Sequence, residues 1–419
     1  MEYDPPFSRP ETEPQEWVHI PTPGDHYSPA TGSAVITVIA GLAEAQFRHG
    51  AGIPKVLVTH GATHGYPPYP FGEVIESAAR SQYPSALQRM SDVLFGRIAG
   101  FRPFTNRLYK KLAQPLPRNF CGVLIIHNQP GAVVPLRGMF PECTLVLHLH
   151  NASFANYSDS EVAKIAASMD KMICCSSFLA QLTLQRIPRT HAHKVHAVLN
   201  GVDTEQFRPV LKRHENDAFP LTILFMGRML PEKGPDLLIK AALLLHKKRR
   251  EGRIPAFRIR MIGSHNFNAS APLSRYERAL RNLAYPLGKI IEFRPFYKRD
   301  KVPKIYQDAD VFVAPSNWDE PFGLTIAEAM ACGLPCIVSK RGGIPEVAHE
   351  AALYFSPPNV ENLAERIEQL LTFPELRTEL ARKSRCRSLE LDWPSRFGQV
   401  RDALFCPLEK PQKQTLLPT

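Results

Sequence analysis

The sequence predicts an α/β protein built from two doubly wound, Rossmann-like domains, and three observations carry that expectation. Its 419 residues, 44% of them apolar, exceed what one ordinary core accommodates and suffice to fill two. Short apolar runs without polar alternation recur, as in strands of a parallel sheet covered on both faces by helices. Each run precedes a helical stretch, and the alternation restarts once, after the polar segment from Arg208 to Pro220.

In chain order, "EWVHI" reads as a strand, "PTPGDHYSPATGS" as a glycine-containing loop, and Ala34 to Phe47 as a helix. Candidate strands follow at "KVLVTH", "GVLIIH", "TLVLHLH", "KMICC" and "KVHAVLN". The second half offers "LTILFMG", "FRIRMIG", "KIIEFRP", "DVFVAPS", "PCIVSK" and "ALYFS". The expected division is an N-terminal domain over 1–208, a C-terminal domain over 209–388, and a final helix and tail over 389–419 that return to the first domain. In such sheets ligands sit beyond the carboxyl ends of the strands.

Composition narrows the partners. The formal charge is +11, which suits an acidic surface or a phosphorylated ligand. Between Arg80 and Arg118 there are eight Lys or Arg residues and one acid, Asp92, interleaved with Leu, Phe, Ile and Tyr. A segment of that kind fits contact with an anionic membrane surface. The run "KKRREGR" from Lys247 reads instead as the solvated end of a helix. The acidic, proline-rich start "MEYDPPFSRPETEPQEW" has no apolar core of a leader, and no run of about 18 apolar residues occurs. A cytoplasmic protein, peripheral at most, is expected, with its eight scattered cysteines as buried free thiols.

The chemistry gathers at strand ends in the second half. "MGRMLPEKGPD" places Arg228 and Lys233 around a proline, with Gly227 and Gly234 allowing close backbone approach. A guanidinium fork and an ammonium together suit a diphosphate. After "DVFVAPS", the stretch "NWDEPFGLTIAEAM" should start a helix near Pro321, leaving the N–H groups of Phe322, Gly323, Leu324 and Thr325 for an anion. Carboxylates repel phosphate, so Glu320 and Glu328 suit the vicinal hydroxyls of a sugar or a ribose.

"GRMLPEKG", followed by "SNWDEPFGLTIAEAMACGLPCIVSKRGGIPEV" with its E-x7-E spacing, resembles the retaining GT-B glycosyltransferases of family 4; "NGVDTEQFRP" at the domain junction is similar too. The resemblance covers nearly the whole chain. It implies two Rossmann-like domains facing a cleft, with a nucleotide-sugar held mainly by the second. Arg228 and Lys233 would then hold the diphosphate, Glu320 the donor-sugar hydroxyls and Glu328 the ribose. "TGS" at Thr31 to Ser33 matches the family's N-terminal glycine loop, with Gly32 in place and Ser33 where a second glycine is common. His150, in "LHLHN", matches the histidine that faces the donor sugar near the reacting carbon.

Other residues read as structural or secondary. His148 reads as a buried, hydrogen-bonded core histidine, and His127 and Asn128 as candidates for the acceptor side. "DAD" at Asp308 to Asp310 mimics a metal motif but falls at the wrong end of its strand. "HAHKVH" fits no closed metal site, so no metal and no cofactor are expected. The anticipated reaction is transfer of a sugar, with retention, from a UDP-sugar, or next GDP-mannose, to a saccharide or lipid-linked acceptor hydroxyl, as in bacterial polysaccharide, lipopolysaccharide or glycolipid synthesis. The alternatives are a nucleotide-sugar epimerase of the same fold and a non-catalytic membrane- or nucleic-acid-binding scaffold; an intact set of charged residues argues against the latter, and no nucleic acid is expected.

Overall fold

The computed structural model describes residues 16–80, 85–210, 220–266 and 269–406. The proline-rich start, most of the expected boundary at 208–220 and the tail after 406 lie outside them.

The first sheet consists of β1 (Trp17–Ile20), β2 (Lys55–His60), β3 (Glu73–Arg80), β4 (Val123–His127), β5 (Thr144–Leu149), β6 (Lys171–Cys174) and β7 (Val195–Ala197). Their order is β3-β2-β1-β4-β5-β6-β7, and every pairing is parallel. Helices α1 (Ala34–Arg48), α2 (Ala86–Ala99), α3 (Pro103–Leu112), α4 (Val133–Met139), α5 (Asp159–Ser168) and α6 (Ser177–Leu184) cover it. The order reverses between β1 and β4, which opens a crevice at their carboxyl ends.

The second sheet repeats the pattern with β8 (Leu221–Met226), β9 (Phe257–Ile262), β10 (Ile291–Arg294), β11 (Val311–Ala314), β12 (Cys336–Ser339) and β13 (Ala352–Phe355). Its order is β10-β9-β8-β11-β12-β13, again parallel, with the reversal between β8 and β11. The helices here are α7 (Pro235–Arg250), α8 (Arg275–Ala284), α9 (Val302–Gln307), α10 (Leu324–Ala331), α11 (Ile344–Ala348), α12 (Val360–Thr372) and α13 (Pro374–Leu389). The apolar runs account for this sheet, because β8, β11 and β12 bury both faces: Leu224 and Phe312 face one core, Ile223 and Val313 another.

The last helix, α14 (Trp393–Phe405), packs on α1 rather than on the second sheet. Phe397 meets Trp17 at 5.4 Å between ring centroids, and the Trp393 indole fills the space that side chains at Gly41 and Gly201 would need. Further contacts join the two halves. Both oxygens of Glu346, on α11, accept from the first amides of α6, those of Ser177 and Phe178, at 2.7 Å each. The Arg385 guanidinium donates to the carbonyls of Thr204, Phe207 and Ala331.

Three local readings differ from the sequence expectation. Strand β3 lies at a sheet edge and was not among the candidate strands, since Glu73, Glu76 and Ser77 break its apolar run. Helix α10 begins at Leu324 rather than near Pro321, because Gly323 takes a left-handed conformation, φ 98°. Of the cysteines, Cys143, Cys174, Cys175, Cys332 and Cys336 are buried thiols, whereas Cys121, Cys386 and Cys406 are exposed. Among the described residues, no helix is long and apolar enough to cross a membrane.

Candidate active site

The two strand-order reversals face each other across a cleft. One part, ≈ 400 Å³, runs from Ser33 and His150 on the first sheet to Lys233 and Glu320 on the second. A narrower part, ≈ 150 Å³, continues between Thr31, Tyr297, Arg299 and Glu328. Gly32, Gly227, Arg228, Leu324 and Thr325 line both. Phe322 and Gly323 line the larger part. Gly32, Ser33, His150, Gly227, Arg228, Lys233, Glu320, Glu328 and the residues Phe322 to Thr325 therefore come to one continuous cleft.

Strand β8 delivers the cations. Arg228 lies two residues beyond its end and is exposed, with no acidic partner among the described residues. Lys233 ends a single 3₁₀ turn, Pro231–Lys233, and its ammonium pairs with Glu320 while lying 5.4 Å from the Trp318 ring centre. Glu320 also accepts from the Trp318 indole N–H at 3.0 Å and from the Ser316 hydroxyl at 3.5 Å.

The glycine pair after β12 explains how Glu320 is held. A side chain at Gly342 would run into the Glu320 carbonyl oxygen at 2.4 Å, and one at Gly343 into the Pro321 carbonyl oxygen at 2.1 Å. The Gly343 N–H donates to the Glu320 carbonyl at 2.7 Å. The loop that carries the carboxylate thus rests directly on bare backbone. Beyond it, the amides of Gly323, Leu324 and Thr325 have no acceptor among the described residues. They form an anion-favouring helix start without any side-chain cap.

Glu328 is 3% exposed and is fixed at both oxygens. One pairs with the Arg299 guanidinium, and the other accepts from the Tyr306 hydroxyl at 3.0 Å. Burial of Tyr306, together with the Glu328 charge beside it, pushes its phenol well above the usual range. Sequence reasoning missed Arg299, Tyr306 and Trp318. Trp318 lies within the quoted "NWDE", two positions before Glu320, whereas nothing in "YKRDK" marks Arg299.

On the first sheet, Ser33 caps α1, and its hydroxyl donates to Asp25 at 2.9 Å. Its amide donates to Thr31 Oγ1 at 3.0 Å, and its carbonyl accepts from the Thr37 amide at 3.1 Å. Burial raises the Asp25 carboxyl above its ordinary range. His150 leaves β5 beside three other histidines. Its Nε2 lies 3.0 Å from His127 Nδ1, and His127 Nε2 lies 3.1 Å from His19 Nδ1. Burial holds all four neutral: His150 is lowered to about 3, His19 to about 4, and His127 and His148 well below the ordinary value.

Two expectations change here. His127 is fully buried and supports His150 rather than lining an acceptor surface. His148 is buried, but both its ring nitrogens lack a hydrogen-bond partner. Asn128, in a left-handed conformation with φ 56°, uses its Oδ1 to accept from the His150 and Asn151 amides at 2.6 and 3.2 Å. At the far end of β11, Asp310 accepts from the Thr222 amide at 2.8 Å, so "DAD" lies away from the cleft.

Comparison with known proteins agrees with this geometry. The family profile described as Glycosyl transferases group 1 matches residues 205–387. The chain is 30% identical over 314 residues to spore coat protein SA of Bacillus subtilis (strain 168), covering 71% of this chain and 80% of that one. The structure of Anabaena Alr3699/HepE in complex with UDP and glucose superposes with a TM-score of 0.65 at 17% identity, over 94% of this chain and 100% of that one. Sucrose-phosphate synthase from Thermosynechococcus elongatus superposes with a TM-score of 0.70 at 20% identity, over 93% and 99%. The fold is GT-B, and by sequence the chain belongs to the glycosyl transferases group 1 family.

Proposed function

We propose that this glycosyltransferase moves a sugar from a UDP-sugar, or next GDP-mannose, to an acceptor hydroxyl with retention at the anomeric carbon. The observation that carries the reading is the junction of β8 and β11, where Arg228, Lys233 and the uncapped amides of α10 converge on one cleft. Loss of the nucleotide diphosphate builds negative charge on its outer phosphate. Cations and amides fixed at that point stabilise the transition state more than the ground state, by about 3–4 kcal/mol for one well-placed donor.

The Lys233–Glu320 pair gives the step an internal exchange. A diphosphate draws the ammonium toward itself, and the released carboxylate turns to the sugar hydroxyls. Glu328, set beside Arg299 in the narrower part of the cleft, takes the ribose diol. The family's mechanism has the acceptor attack on the leaving-group face, with the departing phosphate oxygen taking the acceptor's proton. His150 presents its ring to the sugar from the opposite wall.

The acceptor in this reading is a saccharide or lipid-linked, and the enzyme is peripheral to an anionic membrane through the Arg80–Arg118 segment. Support comes from the outward face of α2, where Leu87, Met90, Leu94 and Ile98 are all exposed. A panel of sugar nucleotides scored by unfolding temperature tests the donor, since a ligand selective for the folded state stabilises it by mass action. UDP-sugars should give the largest rise, and the anomeric configuration of the product should match the donor. An absence of any nucleotide-dependent rise, or an inverted product, would sink the reading.

A further inference from the structure

Helix α6 begins beside the cleft, and its first amides are satisfied from both domains. Its own cap, the Ser176 hydroxyl, accepts from the third amide, that of Leu179, at 3.1 Å. The first two amides, of Ser177 and Phe178, donate to the two oxygens of Glu346 in the other domain, at 2.7 Å each. A carboxylate on amides at the positive end of a helix makes charge-assisted bonds, stronger than neutral ones. The first domain thus has this helix start completed by the second.

Both ends of the contact lead to the sugar pocket. On the first domain, Cys175 stands just before the cap, and its amide donates to the Leu149 carbonyl at 3.1 Å. His150 comes next, and it lines the larger part of the cleft together with Cys175. On the second domain, Glu346 lies three residues after Gly343, whose amide holds the Glu320 carbonyl. A side chain at Gly343 would meet the Pro321 carbonyl oxygen at 2.1 Å and Ser176 Oγ at 2.9 Å. Bare backbone is what lets the Glu320 loop and the α6 cap approach there. Arg387 steadies α11 by donating to the Glu346 and Val347 carbonyls at 2.7 and 3.0 Å.

We propose that Glu346 is a positioning residue for sugar transfer: by capping α6 from the opposite domain, it sets the distance between the His150 wall and the Glu320 loop. Glu346 lines neither part of the cleft and acts through the two elements it joins. The inference rests on the proposed transfer, in which groups on opposite walls meet one sugar. A misplacement of about 1 Å in such a site costs about 10²-fold in rate. When the cleft opens to admit a donor, water replaces Glu346 on the two amides, and closure restores the bonds.

The test breaks the contact from each side in the full chain. Glu346→Gln removes the charge, and Ser177→Pro removes one donor at the first helical position, which tolerates proline, after an extended Ser176 at φ −165° and ψ 159°. Each should lower kcat by about 10–10²-fold and leave UDP affinity within about twofold. Together they should lower kcat by less than the product of the two, as for residues in one contact. Small-angle scattering of the ligand-free chain should show a larger radius of gyration for Glu346→Gln than for wild type, a readout that needs no donor and stands even if Ser177→Pro fails to fold. An unchanged radius, wild-type kcat in Glu346→Gln, multiplicative effects, or an equal loss of UDP affinity would overturn the assignment. Failure to find any donor would instead defeat the transfer reading, with the scattering still deciding whether Glu346 holds the domains together.

Discussion

Lys233 and Glu320 occupy each other, while Arg228 is exposed and has no acidic partner among the described residues, and that asymmetry sets the outcome of each substitution. Arg228→Ala should lower kcat by about 10²–10³, the range for losing one transition-state donor, with an unchanged melting temperature. Lys233→Ala should cost a similar factor, leaving Glu320 its bonds from Trp318 and Ser316; wild-type turnover in either variant would remove that residue from the mechanism. Glu328→Gln is different. It strips the counter-charge from Arg299, whose side chain is 18% exposed, and breaking a buried pair costs about 3–5 kcal/mol. Weaker nucleotide binding should therefore come with a lower melting temperature, and a variant that keeps both would refute the ribose assignment. The histidines set an acid limit. His19 falls from 6.5 to about 4 on folding. The unfolded chain therefore binds a proton in that window that the native state does not, and stability falls as pH drops below about 6.5. His19 alone should remove roughly 3 kcal/mol by pH 4. Denaturant midpoints measured from pH 7 to pH 4 should fall, and a His19→Asn variant should flatten the curve.

At the scale of elements, α2 is amphipathic in the inverse sense. Asp92 and Gly96 face the protein: Asp92 accepts from the Phe104 and Thr105 amides, and Gly96 abuts Glu161. The opposite face presents Leu87 and Ile98, 76% and 77% exposed. The neighbouring α3 carries Arg107, Lys110 and Lys111 along an open groove. Arg102 belongs to the fold instead, paired with Glu161 at 2.7 Å and stacked on Tyr157. Leu94→Glu with Ile98→Glu, or Arg107, Lys110 and Lys111 changed to Glu, should each abolish sedimentation with anionic vesicles at low salt. Neither change should alter nucleotide binding in the other domain. Equal partition onto neutral vesicles, or none at all, would favour a soluble acceptor. The basic, apolar composition of this segment was legible in the sequence, but its inversion was not. Only the packing of Asp92 and Gly96 decides which face turns inward. The central strands were legible because burial on both faces makes them uniformly apolar. Glu320 and Glu328 could be read from their spacing, whereas Arg299 and Tyr306 reach Glu328 only through tertiary contact. His127, His148 and His150 could be singled out at their strand ends, but not His19 or the strand register that brings all four together.

Across the whole molecule, the chain visits the first domain, builds the second, and comes back. The return is tight: the Val202 amide donates to the Leu391 carbonyl at 2.8 Å, and α14 then covers Trp17, Val38 and Leu42. The second domain is in effect an insertion, so a fragment cut at the apparent boundary is an incomplete protein. Residues 16–208 expressed alone should expose that apolar face, bind a hydrophobic dye strongly and self-associate in sedimentation velocity. Joining residue 202 to residues 391–406 through a short linker should restore a dye-silent monomer, because the two ends already touch. A well-behaved monomer from residues 16–208 without α14 would contradict this. For anyone dissecting the enzyme, the unit of independent expression is therefore a spliced chain, and a library of simple truncations would sample only broken folds.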